Sequence, residues 1–447
     1  MKTYKPLKKT ALFIACVLLL VAAFTLEPAK KTQEKQNEAK PTDDTKKVST
    51  NSKSKDLAVN AALPAFSITT DPDNLWSKEK GIYILGDHAS SKYPYKGANY
   101  WQDWSIPVDI DYFEKGKSVY KVSADMEIFG GETRTLPQRS FALFAKKENG
   151  SKTFQYPLFP EKTFDEYHSF VLRNGGQDFA RTHMLDGLVS TLIKDTNIDY
   201  QAYRPVVVYL NNKYWGIYDL REKIDDHFLA ANHDVKKSDV DLLEANAVEK
   251  DGSNKDYIQL IDYIKTHNLK KDNDFNYVKS QMDMDNFIDY VITELYIANT
   301  DWPSHNIRFW KAKGDFDKWR WIVYDSDLSF ENYQENTVER LWKYKGDGDD
   351  SLYVSFLFRE LMKNGQFRKE FKRQIDYHLA NTFQPDRVIT TITEAQKQLE
   401  PEMPNHLKKW GGTMEDWKKN VNKLKEFAQY RPQYLKEDLE NLLDTYQ

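Results

Sequence analysis

Two short stretches hold the residues best suited to chemistry. Ala298–Asn306 reads ANTDWPSHN and sets a carboxylate, Asp301, five positions ahead of an amide, Asn306, with Pro303 between them. Farther on, Tyr324–Asp327 reads YDSD and adds Asp325 and Asp327. A carboxylate in a stiff loop can orient a hydroxyl and take its proton. Amide and carboxylate oxygens suit a hard cation such as Mg²⁺, which in turn holds phosphate. Together these groups meet the needs of phosphoryl transfer to a hydroxyl. Spacing alone leaves a plainer reading open: Asp301 opens a turn with its side chain, and Asn306 tolerates a loop conformation.

The elements that must position these residues can be read from periodicity. From Ala62 to about Lys147, short runs such as GIYILG, PVDIDYF, SVYKVSADMEIFG and RSFALFAKK alternate apolar and polar residues, the period of strands. Ala180–Lys194 has apolar residues at helical spacing. PVVVYL and YWGIYDL form a hairpin through Asn211-Asn212-Lys213. The chain then turns helical: Lys255–His267, Met284–Ile297, Leu352–Asn364, Phe367–Thr382 and most of the tail after Pro385. The helix ending at Ile297 runs straight into ANTDWPSHN. Beyond it, NIRFWKAK and KWRWIVYDSDLSF make one more hairpin around GDFD, with Asp325 and Asp327 expected on one face of its second strand. The tryptophans 302, 310, 319 and 321 are expected to pack in the core.

A chain of 447 residues accommodates two lobes, and its 14% aromatic content calls for a core of large rings. A net charge of −4 argues against a nucleic-acid partner, which needs a basic field. MKTYKPLKKT followed by the apolar run 11–26 reads as a signal segment, either cleaved or kept as an anchor that directs the rest outward. The only cysteine, Cys16, lies in that run, so the remainder has neither disulfide nor thiol catalyst. Residues 27–61 are polar and read as a linker. The expected organisation is therefore 1–26 signal or anchor, 27–61 linker, 62–115 a β-rich extension, and 116–447 a domain whose lobes divide near 222/223.

Taken in order, the chain reads strand with glycines, strand with a basic residue, helix, hairpin, then helix–Asp-x4-Asn–hairpin–Asp. That is the layout of a bilobal protein kinase, an α+β fold with a β-rich N-terminal lobe and a mainly helical C-terminal lobe. Four blocks resemble the CotH kinase family, named after spore coat protein H. They are Ile128–Arg134 (IFGGETR) leading to Pro137–Phe141 (PQRSF), Phe170–Gly176 (FVLRNGG), Arg204–Glu222 (RPVVVYLNNKYWGIYDLRE), and Asn299–Asn306 with Tyr324–Asp327. The likeness spans roughly 67–330.

The resemblance implies ATP and Mg²⁺ (or Mn²⁺) as cofactors. It implies Asp301 as catalytic base and Asn306 and Asp325 as metal ligands, with Asp327 a second ligand or a partner to one. Gly130, Gly131 and Arg134 match the family's phosphate-side loop, and Glu222 falls at the crossing between lobes, to meet the nucleotide base or pair with a basic neighbour. Two positions depart from pattern. Arg139 stands where the family usually has lysine and is expected to pair the nucleotide's phosphates with altered geometry, and Pro303 stands where ordinary protein kinases have a lysine two residues after the base. His305 is expected to be a hydrogen-bonding loop residue or a partial stand-in for that charge. Asp186 is expected either to pair Arg139 or to lie on a solvated helix face, and Asp347–Asp350 (DGDD) reads as an acidic turn. The function implied is an exported kinase acting on hydroxyls of secreted, cell-surface, cell-wall or spore-coat proteins. The alternative is a kinase-fold surface or coat protein that binds without turnover. A metal-dependent glycosyltransferase using Asp325-Ser326-Asp327 is disfavoured, because that motif belongs with parallel β-α units and this order is rich in hairpins.

Overall fold

The computed structural model describes residues 62–145, 152–346 and 350–446. The signal segment and the polar linker lie outside them, as does most of the DGDD turn; Asp350 within it is paired to Arg359. Among the described residues no helix is long and apolar enough to cross a membrane.

The N-terminal half is built on strands β1 (Ala65–Thr69), β2 (Ile106–Glu114), β3 (Lys117–Phe129), β4 (Ser140–Phe144), a small β5/β6 ribbon (Phe154–Gln155, Glu166–Tyr167), β7 (Ser169–Arg173), β8 (Asp199–Tyr200), β9 (Tyr203–Leu210) and β10 (Lys213–Glu222). Seven of these close a barrel in the order β1-β2-β3-β4-β7-β10-β9, sealed by parallel pairing of β9 with β1. The boundary read at 115/116 falls between β2 and β3, which pair along nearly their whole length. Alternation fills the barrel: Phe66, Ile110, Met126, Phe141, Phe170, Leu172, Val208 and Tyr218 are buried together inside. The β9–β10 turn is Asn211–Asn212, both residues at positive φ, which asparagine tolerates.

The second half carries strands β11 (Val240–Glu244), β12 (Val248–Asp251), β13 (Arg308–Ala312) and β14 (Arg320–Val323), which with β8 form a sheet ordered β12-β11-β13-β14-β8. The helices, in chain order, are α1 (Pro72–Trp76), α2 (Leu185–Ile193), α3 (Asp226–His233), α4 (Lys255–Thr266), α5 (Asp272–Gln281), α6 (Met284–Ile297), α7 (Thr337–Lys343), α8 (Val354–Leu361), α9 (Gly365–Ala380), α10 (Pro385–Leu399), α11 (Met403–Trp410) and α12 (Met414–Asp444). One large core joins α2 to α6, α8, α9, α10 and α12, and takes in Trp302, Trp319 and Trp321. Trp310 is buried in a smaller cluster against α3.

Two expectations need correction. The helix read over Ala180–Lys194 starts only at Leu185, because His183 is at positive φ and Asp178 caps the start, accepting from the Met184 and Leu185 amides at 2.9 and 3.1 Å. The strand carrying WIVYDSD ends at Val323. Asp325 sits at φ +56, so Asp325 and Asp327 lie in a loop beyond the strand and not on one of its faces.

The C-terminal helices also grip the barrel. A bulge in β10 between Tyr214 and Gly216 frees backbone groups that α11 satisfies. His406 Nδ1 accepts from the Ile217 amide at 3.1 Å, and Trp410 Nε1 donates to the Trp215 carbonyl at 2.8 Å. Gly216, at φ +116, leaves room for this: a Cβ there would meet Trp410 Nε1 at 2.7 Å.

Candidate active site

Helix α6 delivers the Asp301 loop. Its capping residue Ala298 is left-handed and turns the chain back, and Asn299 and Trp302 anchor the turn. Asn299 is fully buried and its Oδ1 accepts from the Asp301 amide at 3.2 Å. Trp302, also fully buried, donates to the Tyr290 hydroxyl of α6 at 2.9 Å. The Asp301 carbonyl accepts from the amides of Ser304 and His305 at 3.1 and 2.9 Å. Asp301's carboxylate is left half-buried at the surface of this tight loop. Exposed His305 hydrogen-bonds Ser304 Oγ at 3.0 Å.

The β13–β14 hairpin returns the chain to the same place. Asn306, at φ +59, donates from Nδ2 to the Asp325 carbonyl at 3.0 Å. Burial raises the pKa of Asp301, and the charges of Asp325 and, more weakly, Glu132 push the same way, while His305 and Arg340 oppose. The carboxylate of Asp301 thus feels the charge of Asp325 and, more weakly, that of Glu132 in the glycine turn.

That glycine turn follows β3. Gly130 has φ +102, and a Cβ added to Gly131 would meet nothing within 4 Å, so the backbone there borders open space. Arg134 Nε donates back to the Gly130 carbonyl at 2.8 Å, and its guanidinium lies over the Trp101 ring. Arg139 is not among this group. Its guanidinium lies over the rings of Tyr83 and Tyr100, 4.7 and 4.2 Å from their centroids. Glu222 is also apart: it accepts from the Ala202 amide at 2.8 Å and Asn232 at 2.9 Å and pairs Lys162 at 3.2 Å. It lines a small open cleft with Phe164, His168, Lys223 and His227.

The cation at the centre is Arg173, at the end of β7, a residue to which sequence reasoning gave no role. Its Nη2 contacts Asp325 Oδ1 and lies 2.6 Å from Asp327 Oδ2, and its Nε lies 3.3 Å from Asp186 Oδ2. Asp186, on α2, is 3% exposed and pairs Arg173 and Arg221 (3.0 Å), neither Arg139 nor solvent. Burial opposes its ionisation, but Arg221 and Arg173 outweigh burial and hold its pKa below the usual range. Asp186 Oδ1 also accepts from the Ser326 amide at 3.0 Å, tying α2 to the Asp325 loop. A signal for Arg173 was present: in SFVLR, Phe170 and Leu172 face the barrel, so alternation puts Arg173 on the other face.

Among the described residues no three His, Cys, Asp or Glu side chains gather as a self-sufficient metal site. The donor set nevertheless fits a phosphate-bound Mg²⁺. Oxygens of Asp325 and Asp327 converge on one nitrogen of Arg173, Asn306 adds an amide beside them, and Mg²⁺ commonly takes only one or two carboxylates when phosphates complete its shell. Residues 126–435 match the family model described as CotH kinase protein. The chain belongs to the CotH kinase family. ATP use is implied by that membership. Among solved structures, this CotH kinase is similar to the crystal structure of a Helicobacter pylori proinflammatory kinase, CtkA. The two share 9% identity over 71% of this chain and 94% of the other, with a TM-score of 0.29. No curated protein matches it.

Proposed function

We propose that this CotH kinase transfers the γ-phosphoryl group of ATP, held with Mg²⁺ or Mn²⁺, to hydroxyl side chains of exported proteins such as spore-coat or cell-wall components. The observation that carries the reading is the fastening of Asn306 to the Asp325 backbone at 3.0 Å, beside a loop that presents Asp301. In this reading Asp301 orients and deprotonates the acceptor. Asn306 and Asp325 hold the cation against the phosphates, and Asp327 assists. The glycine turn at Gly130–Gly131, with Arg134, borders the phosphates. The basic start and the apolar run 11–26 support export to the cell exterior or surface, with anchoring if that run is retained. An ATP supply there calls for an enclosed compartment such as a developing spore.

The competing reading, a coat or surface protein that binds without turnover, draws on Arg139, whose charge is stacked on tyrosines away from the carboxylates. Labelled ATP with Mg²⁺ or Mn²⁺ separates the two. Transfer by the full chain that is lost in both Asp301→Ala and Asp325→Ala supports the kinase. Nucleotide binding without transfer supports the binding protein, and no nucleotide binding removes the proposal.

A further inference from the structure

We propose that Arg173 is an exchangeable occupant of the cation site: it holds Asp325 and Asp327 until a metal–nucleotide complex arrives, and then moves to the phosphates. The inference rests on the kinase reading above and concerns how that site loads.

Three observations carry it. First, one nitrogen, Nη2, meets both Asp325 Oδ1 and Asp327 Oδ2, so the guanidinium stands where two carboxylate oxygens converge, the point a divalent cation needs. A bare ion must therefore displace a charge-assisted contact and recovers only two carboxylates and an amide in return. Second, the two carboxylates are held differently. Asp327 is 3% exposed and is kept in place by the Gln177 amide at 2.9 Å as well as by Arg173. Gly176, at φ +60, permits this approach, since a Cβ there would collide with Asp327 Oδ2. The Asp325 side chain is 33% exposed. Asp327 thus stays in place when Arg173 leaves. Third, Arg173 has a separate anchor. Its Nε pairs Asp186, which Arg221 and the Ser326 amide fix from the other side. The guanidinium can give up its Nη2 contacts and pivot on Asp186 without becoming a stranded buried charge. Its planar fork suits two phosphate oxygens.

Cation loading is then ordered: ATP brings the metal, because its phosphates supply both the missing ligands and a new partner for Arg173. Mn²⁺ binding to the full chain, followed by electron paramagnetic resonance, tests this without any turnover. Wild type should bind Mn²⁺ alone weakly and gain strongly when a non-hydrolysable ATP analogue is added. Arg173→Gln should bind Mn²⁺ alone about tenfold tighter or more, since a competing cation is gone, and should lose most of the gain from the analogue. Arg173→Lys keeps the charge but reaches one carboxylate at a time, so it should shift the same way by less; it decides the question if the glutamine variant does not fold. Unchanged Mn²⁺ affinity in the folded variants overturns the exchange. Tighter Mn²⁺ binding in the variants with no analogue binding by any of the proteins upholds the occupancy of the site by Arg173 while removing the kinase reading.

Discussion

Asn306 Nδ2 donates to the backbone carbonyl of Asp325 at 3.0 Å, joining the loop after α6 to the loop after β14. Asn306 also sits at φ +59, where other side chains are strained. Asn306→Ala is expected to lose about 1–2 kcal/mol of stability, from the hydrogen bond and the backbone together. It should also lose phosphoryl transfer by about a hundredfold or more. Asn306→Gly relieves the backbone strain alone, so it should recover stability in a urea titration without recovering transfer.

Asp301 must be ionised to act as base, and its pKa is raised by burial first, then by the charges of Asp325 and Glu132. Activity should therefore rise with pH through that raised pKa. Glu132→Gln removes one of the negative charges, lowers the Asp301 pKa, and moves the acid limb of the kcat/KM profile to lower pH. A limb that stays put or moves upward would place a different group in control.

Glu294, on α6 under the Asp301 loop, is wholly buried, and burial pushes its pKa up to about 8, against smaller opposing effects of Asn299 and Arg340. The folded-state value lies above that of the unfolded chain, so the folded protein binds the proton more tightly. Its contribution to stability is full below the unfolded pKa and is lost as pH rises through about 8. Glu294→Gln removes that loss. Its Tm at pH 9 should exceed wild type by at least about 3 °C, and the difference should shrink at pH 5.

Asp186 is the common partner of two arginines, at 3.3 Å (Arg173) and 3.0 Å (Arg221). Asp186→Asn leaves both guanidinium groups without their shared counter-charge in a buried setting, and should cost about 3–5 kcal/mol. Urea denaturation followed by far-UV circular dichroism reads this directly; a loss under about 1 kcal/mol, as for an exposed pair, would show the site to be hydrated.

Local rules carried much of this architecture. Asn211–Asn212 forms the expected tight turn because asparagine tolerates positive φ, and α6 has the bounds its periodicity set, Met284–Ile297. The approach of Asn306 to Asp325 was expected from a helix, a loop and a hairpin in sequence. Long-range contacts were not legible. The neighbours of Arg139, Tyr83 and Tyr100, come from the β1–β2 connection, far away in the chain, and no spacing rule links them to β4. Asp186 pairs a different arginine from the one expected, because the pairing of β10 with β7 in the barrel brings Arg221 and Arg173 together beside it. The expected strand runs on through Asp325 and Asp327, but it ends at Val323, and the left-handed turn at Asp325 breaks the extended backbone.

The contact of α11 with the β10 bulge bears on how the cleft can open. Strand β10 leads into the second lobe at its Glu222 end, while near its other end His406 and Trp410 hold Ile217 and Trp215. A body tethered at one point swings in any direction; tethered at two, it turns only about the line between them. Those two ties define such a line along β10, and any turn of the barrel about it must part the contact of Arg173 with Asp325 and Asp327.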